Sequence, residues 1–265
     1  MHKSLEMLSI EQVSLGLMLI VMSGCLMRLA KIPLIKDLAY ASLRTIFQLL
    51  VIGYILALVF QSQNWMSVIL YLGIMSSVAG FTIMGRLPSS RKRNNFWPIH
   101  LSLWLGTGIT LAWVTRIILQ VHPWYNPQFL IPLAGMLLGN SVNSATLALE
   151  RFYSEVESRH TEIETLLSLG ATPKQAIYSC FKAGVMAGMI PNINAMMIVG
   201  IVSLPGMMTG QILAGQLPLQ AVGYQMVVMF MITAASAFTL FLLLGLARHK
   251  VFNQYEQLQL SDSEN

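Results

Sequence analysis

ERFYSEVESRHTEIETLLSLGATPKQAI, residues 150–177, is the one sizeable stretch of this very apolar chain whose pattern predicts a water-exposed amphipathic helix followed by a turn. Side chains able to pack recur at spacings of 3, 4, 3 and 4, which places them on one narrow stripe of a helix. The stripe consists of Tyr153, Val156, His160, Ile163 and Leu167, and the other faces carry Glu150, Glu155, Glu157, Glu162 and Glu164. We therefore expect a helix with one adhesive side.

The turn that follows contains residues suited to end one helix and begin another. Gly170 fits the left-handed conformation that closes a helix, and Ala171 follows it. Thr172 is suited to cap the free N–H groups of a second helix, with Pro173 at the first position of that helix. The sequence thus predicts two helices that meet at a sharp corner. The alternative, which the pattern leaves open, is a solvated linker with helical character.

Composition indicates a membrane protein. Of the 265 residues, 55% are hydrophobic and only 10% are charged, whereas ordinary soluble domains have about 25% charged residues. The net charge of +5 does not indicate a nucleic-acid partner, because Lys and Arg lie in short loops beside apolar segments. Cys25 and Cys180 lie in or next to apolar segments, which does not suggest a disulfide framework. We expect an all-α, polytopic protein with one transmembrane domain, residues 1–265, in contact with the lipid bilayer.

Segments of about 20 apolar residues predict the spans. We expect seven, near residues 10–28, 44–60, 65–85, 97–119, 128–149, 176–202 and 219–246. Fourteen of the 16 basic residues flank alternate connections or follow the last span, and only Lys3 and Arg116 do not. The fourteen are Arg28, Lys31, Lys36, Arg44, Arg86, Arg91, Lys92, Arg93, Arg151, Arg159, Lys174, Lys182, Arg248 and Lys250. This bias predicts an external N-terminus and a cytosolic C-terminus.

Three segments lie outside these spans. Residues 150–175 are predicted to be cytosolic and to be inserted between the fifth and sixth spans. Residues 203–217 are too apolar for a free loop and too short to span, so we expect a re-entrant segment or an interfacial one. Residues 252–265 read as a polar tail.

The fifth and sixth predicted spans carry polar side chains at membrane depth. Asn140, Asn143, Thr146 and Glu150 recur at spacings of 3, 3 and 4 on one face, and Asn192 and Asn194 follow a proline in the sixth span. Polar groups at this depth are costly unless they are paired or wetted. They indicate either a translocation surface that replaces part of a solute's hydration shell or hydrogen bonds between helices. The pattern leaves both interpretations open.

Methionine is abundant, with 18 residues in the chain. Six of them gather around the sixth span: Met186, Met189, Met196, Met197, Met207 and Met208. Thioethers suit Cu(I), but methionine also fills gaps in apolar packing, which is the interpretation we favour here. Gly135-x-x-x-Gly139, Gly184-x-x-x-Gly188 and Gly206-x-x-x-Gly210 permit close approach of helices, within one subunit or between two.

Three motifs resemble a known family. They are IPLAGMLLGNS at residues 131–141, LGAT at 169–172 and GIVSLPGMMTGQ at 200–211. Together they closely resemble the Fet-type iron-export ABC permease family, which also contains a plant permease linked to aluminium tolerance. The resemblance runs through essentially the whole chain. It implies a multi-pass permease of the plasma (inner) membrane that works with a separately encoded ATPase, is not itself an enzyme, and exports a metal ion such as iron.

The chain contains no G-x-x-x-x-G-K-[ST] phosphate loop, so any ATP and Mg²⁺ must be bound by the partner and no cofactor is expected in this chain. We expect a homodimer with two ATPase subunits. The substrate path is predicted at Asn140, Asn143, Thr146, Glu150, Asn192 and Asn194. Coupling to the ATPase is predicted at Tyr153, Val156, Glu164, Leu167, Gly170, Ala171, Thr172 and Pro173. The alternative function is a channel or secondary ion carrier without a motor.

Overall fold

The computed structural model describes residues 10–62, 64–253, 255, 257 and 258. The all-α prediction is confirmed, since 84% of the structure is helical and the described part of the chain contains no strand. The α-helices are α1 (Ile10–Leu29), α2 (Ile35–Ser62), α3 (Trp65–Arg86), α4 (Ser89–Trp113), α5 (Pro127–Ser158), α6 (His160–Ser168), α7 (Pro173–Ala176), α8 (Tyr178–Ile198), α9 (Gly206–Leu213) and α10 (Pro218–Ala247). A π-helical segment, Val114–Ile118, extends α4, and a short 3-10 helix, Arg248–Lys250, follows α10.

Several helices are built to cross a membrane. Four segments of the described residues are long and apolar enough: Ile35–Gln61, Trp65–Arg86, Asn94–Ile118 and Pro218–Lys250. They make the chain a multi-pass membrane protein. Helices α1, α5 and α8 occupy the other three predicted spans, and the count of seven and the orientation of the termini stay predictions. The predicted tail, residues 252–265, lies mostly outside the described residues, as does the sequence before Ile10.

The contacts divide the chain into two compact units. The first unit comprises Met1–Gln63 with Leu213–Gly215, and in it α1 packs against α2. The second comprises Asn64–Ile212 with Gln216–Asn265, and it contains every residue predicted for the substrate path or for coupling. The prediction of a single domain over residues 1–265 stays a prediction.

Helix α5 is the centre of the second unit, where it contacts α3, α4, α8 and α10. Its start is fixed locally, because the Asn126 side chain accepts a hydrogen bond from the Gln128 N–H and Pro127 occupies the first turn. Half of its residues are buried, including Leu137, Leu149 and Phe152, each with no exposed surface. A helix covered on this many sides positions whatever its ends and its open face carry.

Two glycines set the distance between α5 and α8. A Cβ built on Gly184 would lie 2.9 Å from the Ala148 carbonyl oxygen, and one built on Gly188 would lie 2.7 Å from that of Ser144. The predicted close approach is therefore found at Gly184-x-x-x-Gly188, within one chain. In the other two motifs, Gly139, Gly206 and Gly210 have no atom of this chain within 4 Å of such a Cβ, and Gly135 has the Met75 methyl group at 3.3 Å. A close approach of these motifs between two subunits stays a prediction.

Candidate functional site

The predicted corner is present, with the geometry expected from its residues. Gly170 adopts a φ of +87°, a left-handed conformation that side chains other than glycine rarely adopt. The Thr172 N–H donates to the Gln175 Oε1 at 2.9 Å, and the Gln175 N–H donates back to the Thr172 Oγ1 at 3.4 Å. This reciprocal capping box begins α7, with Pro173 in its first turn. The chain therefore turns sharply between α6 and α7.

The helix before the corner differs from the prediction in one respect. The amphipathic stretch is not one helix but the end of α5, at Ser158, followed by α6 from His160. Arg159 lies at the break, where its guanidinium donates two hydrogen bonds of 2.8 Å to the Glu162 carboxylate. This contact raises the pKa of Arg159. Sequence periodicity missed the break because the apolar spacing continues across it.

Most of the apolar stripe faces the chain's own core, whereas His160 is exposed; coupling of the stripe residues to an ATPase stays a prediction. Val156 and Ile163 are each 1% exposed, and Tyr153 is 7% exposed. They pack into the chain's own core with Phe152, and Leu167 packs against the same core from its edge. Packing against the core removes the apolar surface of these side chains from water. This burial stabilises the position of α6 on the bundle.

The outer surface of the corner remains open. Within residues 150–177, all of which the structure describes, Leu169 is the one large hydrophobic side chain that is exposed, at 79%. Glu162 and Glu164 lie exposed on α6. From residue 150 to residue 169 the chain has five glutamates and two arginines. Three of these glutamates form ion pairs, with Arg91, Arg151 and Arg159, and Lys174 is exposed beyond the turn. The face that a partner can reach therefore carries a small excess of negative charge and one apolar projection.

A polar cluster ties the end of α5 to the start of α4. The Arg91 guanidinium pairs with the Glu157 carboxylate and lies 4.1 Å from the centre of the Tyr153 ring. The Asn95 side chain is fully buried, and its amide nitrogen donates to the Tyr153 hydroxyl at 2.7 Å. Burial raises the pKa of Tyr153, against smaller opposing effects of Asn95 and Arg91. Sequence reasoning missed this cluster because it joins residues more than 50 positions apart.

Only some of the residues predicted for the polar face of α5 lie together on an open surface. Asn143 and Glu150 are exposed, and Asn140 is half-buried. The Asn140 amide donates to the Met136 carbonyl at 2.8 Å, which leaves its side-chain oxygen available. Thr146 is buried, and its hydroxyl donates to the Val142 carbonyl at 2.8 Å within the same helix. The open face thus consists of Asn140, Asn143 and Glu150.

The side-chain amides of Asn192 and Asn194, both in α8, have different surroundings. Asn192 is 6% exposed, and its amide nitrogen donates to the Ser144 hydroxyl of α5 at 3.1 Å. Asn194 is exposed. Residues two apart on a helix do not share a face, so these amides do not form one site. The contact of Asn192 is the interhelical hydrogen bond that the alternative interpretation predicted.

Helix α8 continues through Pro191 to Ile198 without a break. Among the described residues, no group of three or more His, Cys, Asp or Glu side chains is placed to hold a metal ion. What the second unit presents is a polar strip on α5 and an acidic corner at the end of the same helix.

Comparisons with known proteins identify the family of this chain. Residues 10–252 match the model of the uncharacterised protein family UPF0014. A UPF0014 membrane protein of Synechocystis, slr1647, is 45% identical over 84% of this chain and 85% of its own length. The probable iron export permease protein FetB of Escherichia coli is 33% identical over 94% of both chains.

A plant relative extends the comparison. Protein ALUMINUM SENSITIVE 3 of Arabidopsis thaliana is 35% identical over 76% of this chain and 71% of its own length. No solved structure matches the chain. The family match and these identities agree with the resemblance seen in the sequence motifs, and they show that the chain belongs to the UPF0014 family.

Proposed function

We propose that this UPF0014 protein is the permease subunit of an ABC transporter of the plasma (inner) membrane, which exports a metal ion such as iron with energy from a separate ATPase subunit. Two copies of the chain form the permease, and the partner ATPase binds ATP and Mg²⁺. The likeness to a probable iron export permease supports the choice of substrate. The observation that carries the proposal is the capped acidic corner at the end of the central helix.

The corner has the properties of a docking site for a soluble partner. Its fold does not depend on the partner, because the capping box and the buried Val156 and Ile163 fix α6 on the bundle. Its open face offers the Leu169 side chain among carboxylates. A basic groove with an apolar pocket on the ATPase would complement this surface, with the charges favouring rapid and specific association.

Helix α5 connects the corner with the proposed substrate path. It is continuous over 32 residues, a length of roughly 48 Å at the helical rise per residue. Asn143 lies near its middle and Glu150 lies closer to the corner. A displacement of α6 would reach this polar strip through the core packing of Ile163 with the end of α5. The cluster of Arg91, Tyr153 and Asn95 would make α4 move together with the end of α5.

Because the apolar stripe packs into the chain's own core, Leu169 is a better residue than Leu167 for testing ATPase binding. Substituting Leu167 would disturb the chain's own core, to which Leu167 belongs in part, so loss of binding would have two explanations. Leu169 is exposed and removes this ambiguity. Leu169→Asp should weaken ATPase binding by about tenfold to a hundredfold, because burial of a leucine side chain contributes roughly 1.5–3 kcal/mol.

The matched control is Ser168→Asp, which adds the same charge on the neighbouring exposed residue and keeps the leucine. Both variants are purified with the ATPase subunit, and binding and ATP hydrolysis are measured. Loss of binding in Leu169→Asp alone supports the docking site. Equal binding by Leu169→Asp and the unmodified chain would place the motor elsewhere or show that there is none.

A further inference from the structure

A cavity lined by methionine lies near the end of α8, at the opposite end of that helix from the corner. Its volume is about 270 Å³, and its lining comes from α8, from the turn after α8, from α9 and from α10. Four thioethers line it, those of Met196, Met208, Met226 and Met229. Every lining residue belongs to the second unit. The chain thus gathers residues from two regions of sequence around one space.

One amide in this cavity lacks a partner. Gln225 is only 5% exposed and is one of the residues that line the cavity. Its Oε1 has almost no accessible surface and no hydrogen-bond partner in the described structure, so a rotation of the side chain is needed to bring this oxygen to the cavity. A buried acceptor without a partner is unfavourable, so such groups in folded proteins usually serve a ligand or a water molecule. Methionine packing alone does not account for a carbonyl oxygen kept at this position.

We propose that this cavity binds a soft monovalent cation of the Cu(I) class. Thioether sulfur is a soft ligand that favours Cu(I) over hard cations. The lining contains no carboxylate or imidazole, and an uncharged donor set in an apolar cavity does not offset the desolvation of a divalent ion. A monovalent, weakly hydrated cation held by several thioethers fits these donors, and the Gln225 oxygen would join them after rotation of its side chain.

The cavity also has the features needed for loading. Met226 is 52% exposed, so this residue reaches the surface of the chain, whereas Gln225 is buried. The Met196 sulfur lies 3.0 Å from the Thr233 hydroxyl, whose single hydrogen is shared between this sulfur and the Met229 carbonyl oxygen at 2.9 Å. Helix α9, which carries Met208, has no buried residue. A cation that enters beside Met226 would then meet the thioethers of α8, α9 and α10, of which Met208 lies on a helix without buried residues.

The inference does not rest on the proposed function, because binding requires neither the ATPase nor transport. The probe is Ag(I), which has the same charge and softness as Cu(I) and is not oxidised in air. The full chain in detergent is dialysed against silver nitrate, and bound silver is measured by mass spectrometry. The exposed thiol of Cys25 is blocked with N-ethylmaleimide in every sample, and Cys180, which is buried, is common to all of them.

The test variant carries Met196→Leu, Met208→Leu and Met229→Leu, which remove sulfur at nearly constant volume. The matched control carries Met66→Leu, Met186→Leu and Met197→Leu, at methionines that are each more than half exposed and do not line the cavity. We expect the unmodified chain and the control to hold one Ag(I) that the test variant binds at least tenfold more weakly. Equal binding by the test variant, or no cavity-dependent Ag(I) in the unmodified chain, would overturn the proposal.

Two single variants test the same cavity if the triple variant fails to fold. Gln225→Leu removes the side-chain amide with its unpartnered oxygen, and Met208→Leu removes one sulfur from a helix without buried residues. Each should fold and should bind Ag(I) several-fold more weakly. Ag(I) should raise the melting temperature of the unmodified chain more than that of either variant. Identical shifts in all three proteins would show that the cavity is only packing.

Discussion

Substitution of Gly188 by alanine tests whether the contact between α5 and α8 is as close as the structure shows. The new Cβ would lie 2.7 Å from the Ser144 carbonyl oxygen and 2.7 Å from a Leu240 methyl group, about 0.7 Å short of the 3.4 Å at which ordinary contact begins. The leucine can rotate, but the carbonyl belongs to the backbone of the central helix. Helix α8 therefore has to move away from α5.

Two free-energy effects of opposite sign determine the stability of the Gly188→Ala variant. Alanine in a helix interior is favoured over glycine by roughly 0.5–1 kcal/mol. Overpacking of a close contact costs about 1–3 kcal/mol. The shift would also lengthen the hydrogen bond of 3.1 Å between Asn192 and Ser144, one turn farther along α8. We expect overpacking to dominate, with a net destabilisation of about 1 kcal/mol or more.

The assay is thermal unfolding of the purified chain in detergent, with Gly245→Ala as the matched control. Gly245 also lies inside a helix, and a Cβ built on it has nothing within 4 Å. We expect the control to be as stable as the unmodified chain or more stable, and Gly188→Ala to melt lower by at least about 2–4 °C. If both variants melt at the same temperature, the close approach of α8 to α5 is refuted.

Three further substitutions test other parts of the account. Asn143→Leu should lower transport several-fold without changing the amount of chain in the membrane, because it removes an exposed amide from α5; normal transport would exclude this residue from the path. Tyr153→Phe should destabilise the chain by roughly 1–3 kcal/mol, since it removes a partner of the buried Asn95 side chain; an unchanged melting temperature would contradict that contact. Cysteine placed at Ser158 should react with an impermeant maleimide only in permeabilised cells, and labelling of intact cells would reverse the predicted orientation.

Local features of the chain were predictable because their physical cause is local. The left-handed Gly170 and the reciprocal bonds of Thr172 and Gln175 depend on residues within one turn, so their sequence determines their geometry. The spacing of Gly184 and Gly188 likewise predicted a close contact. It did not show that the partner was α5 of the same chain.

Features that depend on distant residues were not predictable. Periodicity showed that Val156 and Ile163 share one face, but it does not identify what covers a face, and the chain's own core covers this one. The pairing of Arg91 with Glu157 joins residues 66 positions apart. The separation of Asn192 from Asn194 is different, because the helical period alone could have shown that residues two apart diverge.

The central claim is that a separate ATPase drives transport through this chain. The direct measurement is metal-ion flux in proteoliposomes, with the chain reconstituted alone or together with the proposed ATPase subunit. We expect flux only when the ATPase and hydrolysable ATP are both present, and ATP hydrolysis that rises when the exported metal is added. Flux through the chain alone, in the absence of ATP, would contradict the account and show a channel or secondary carrier.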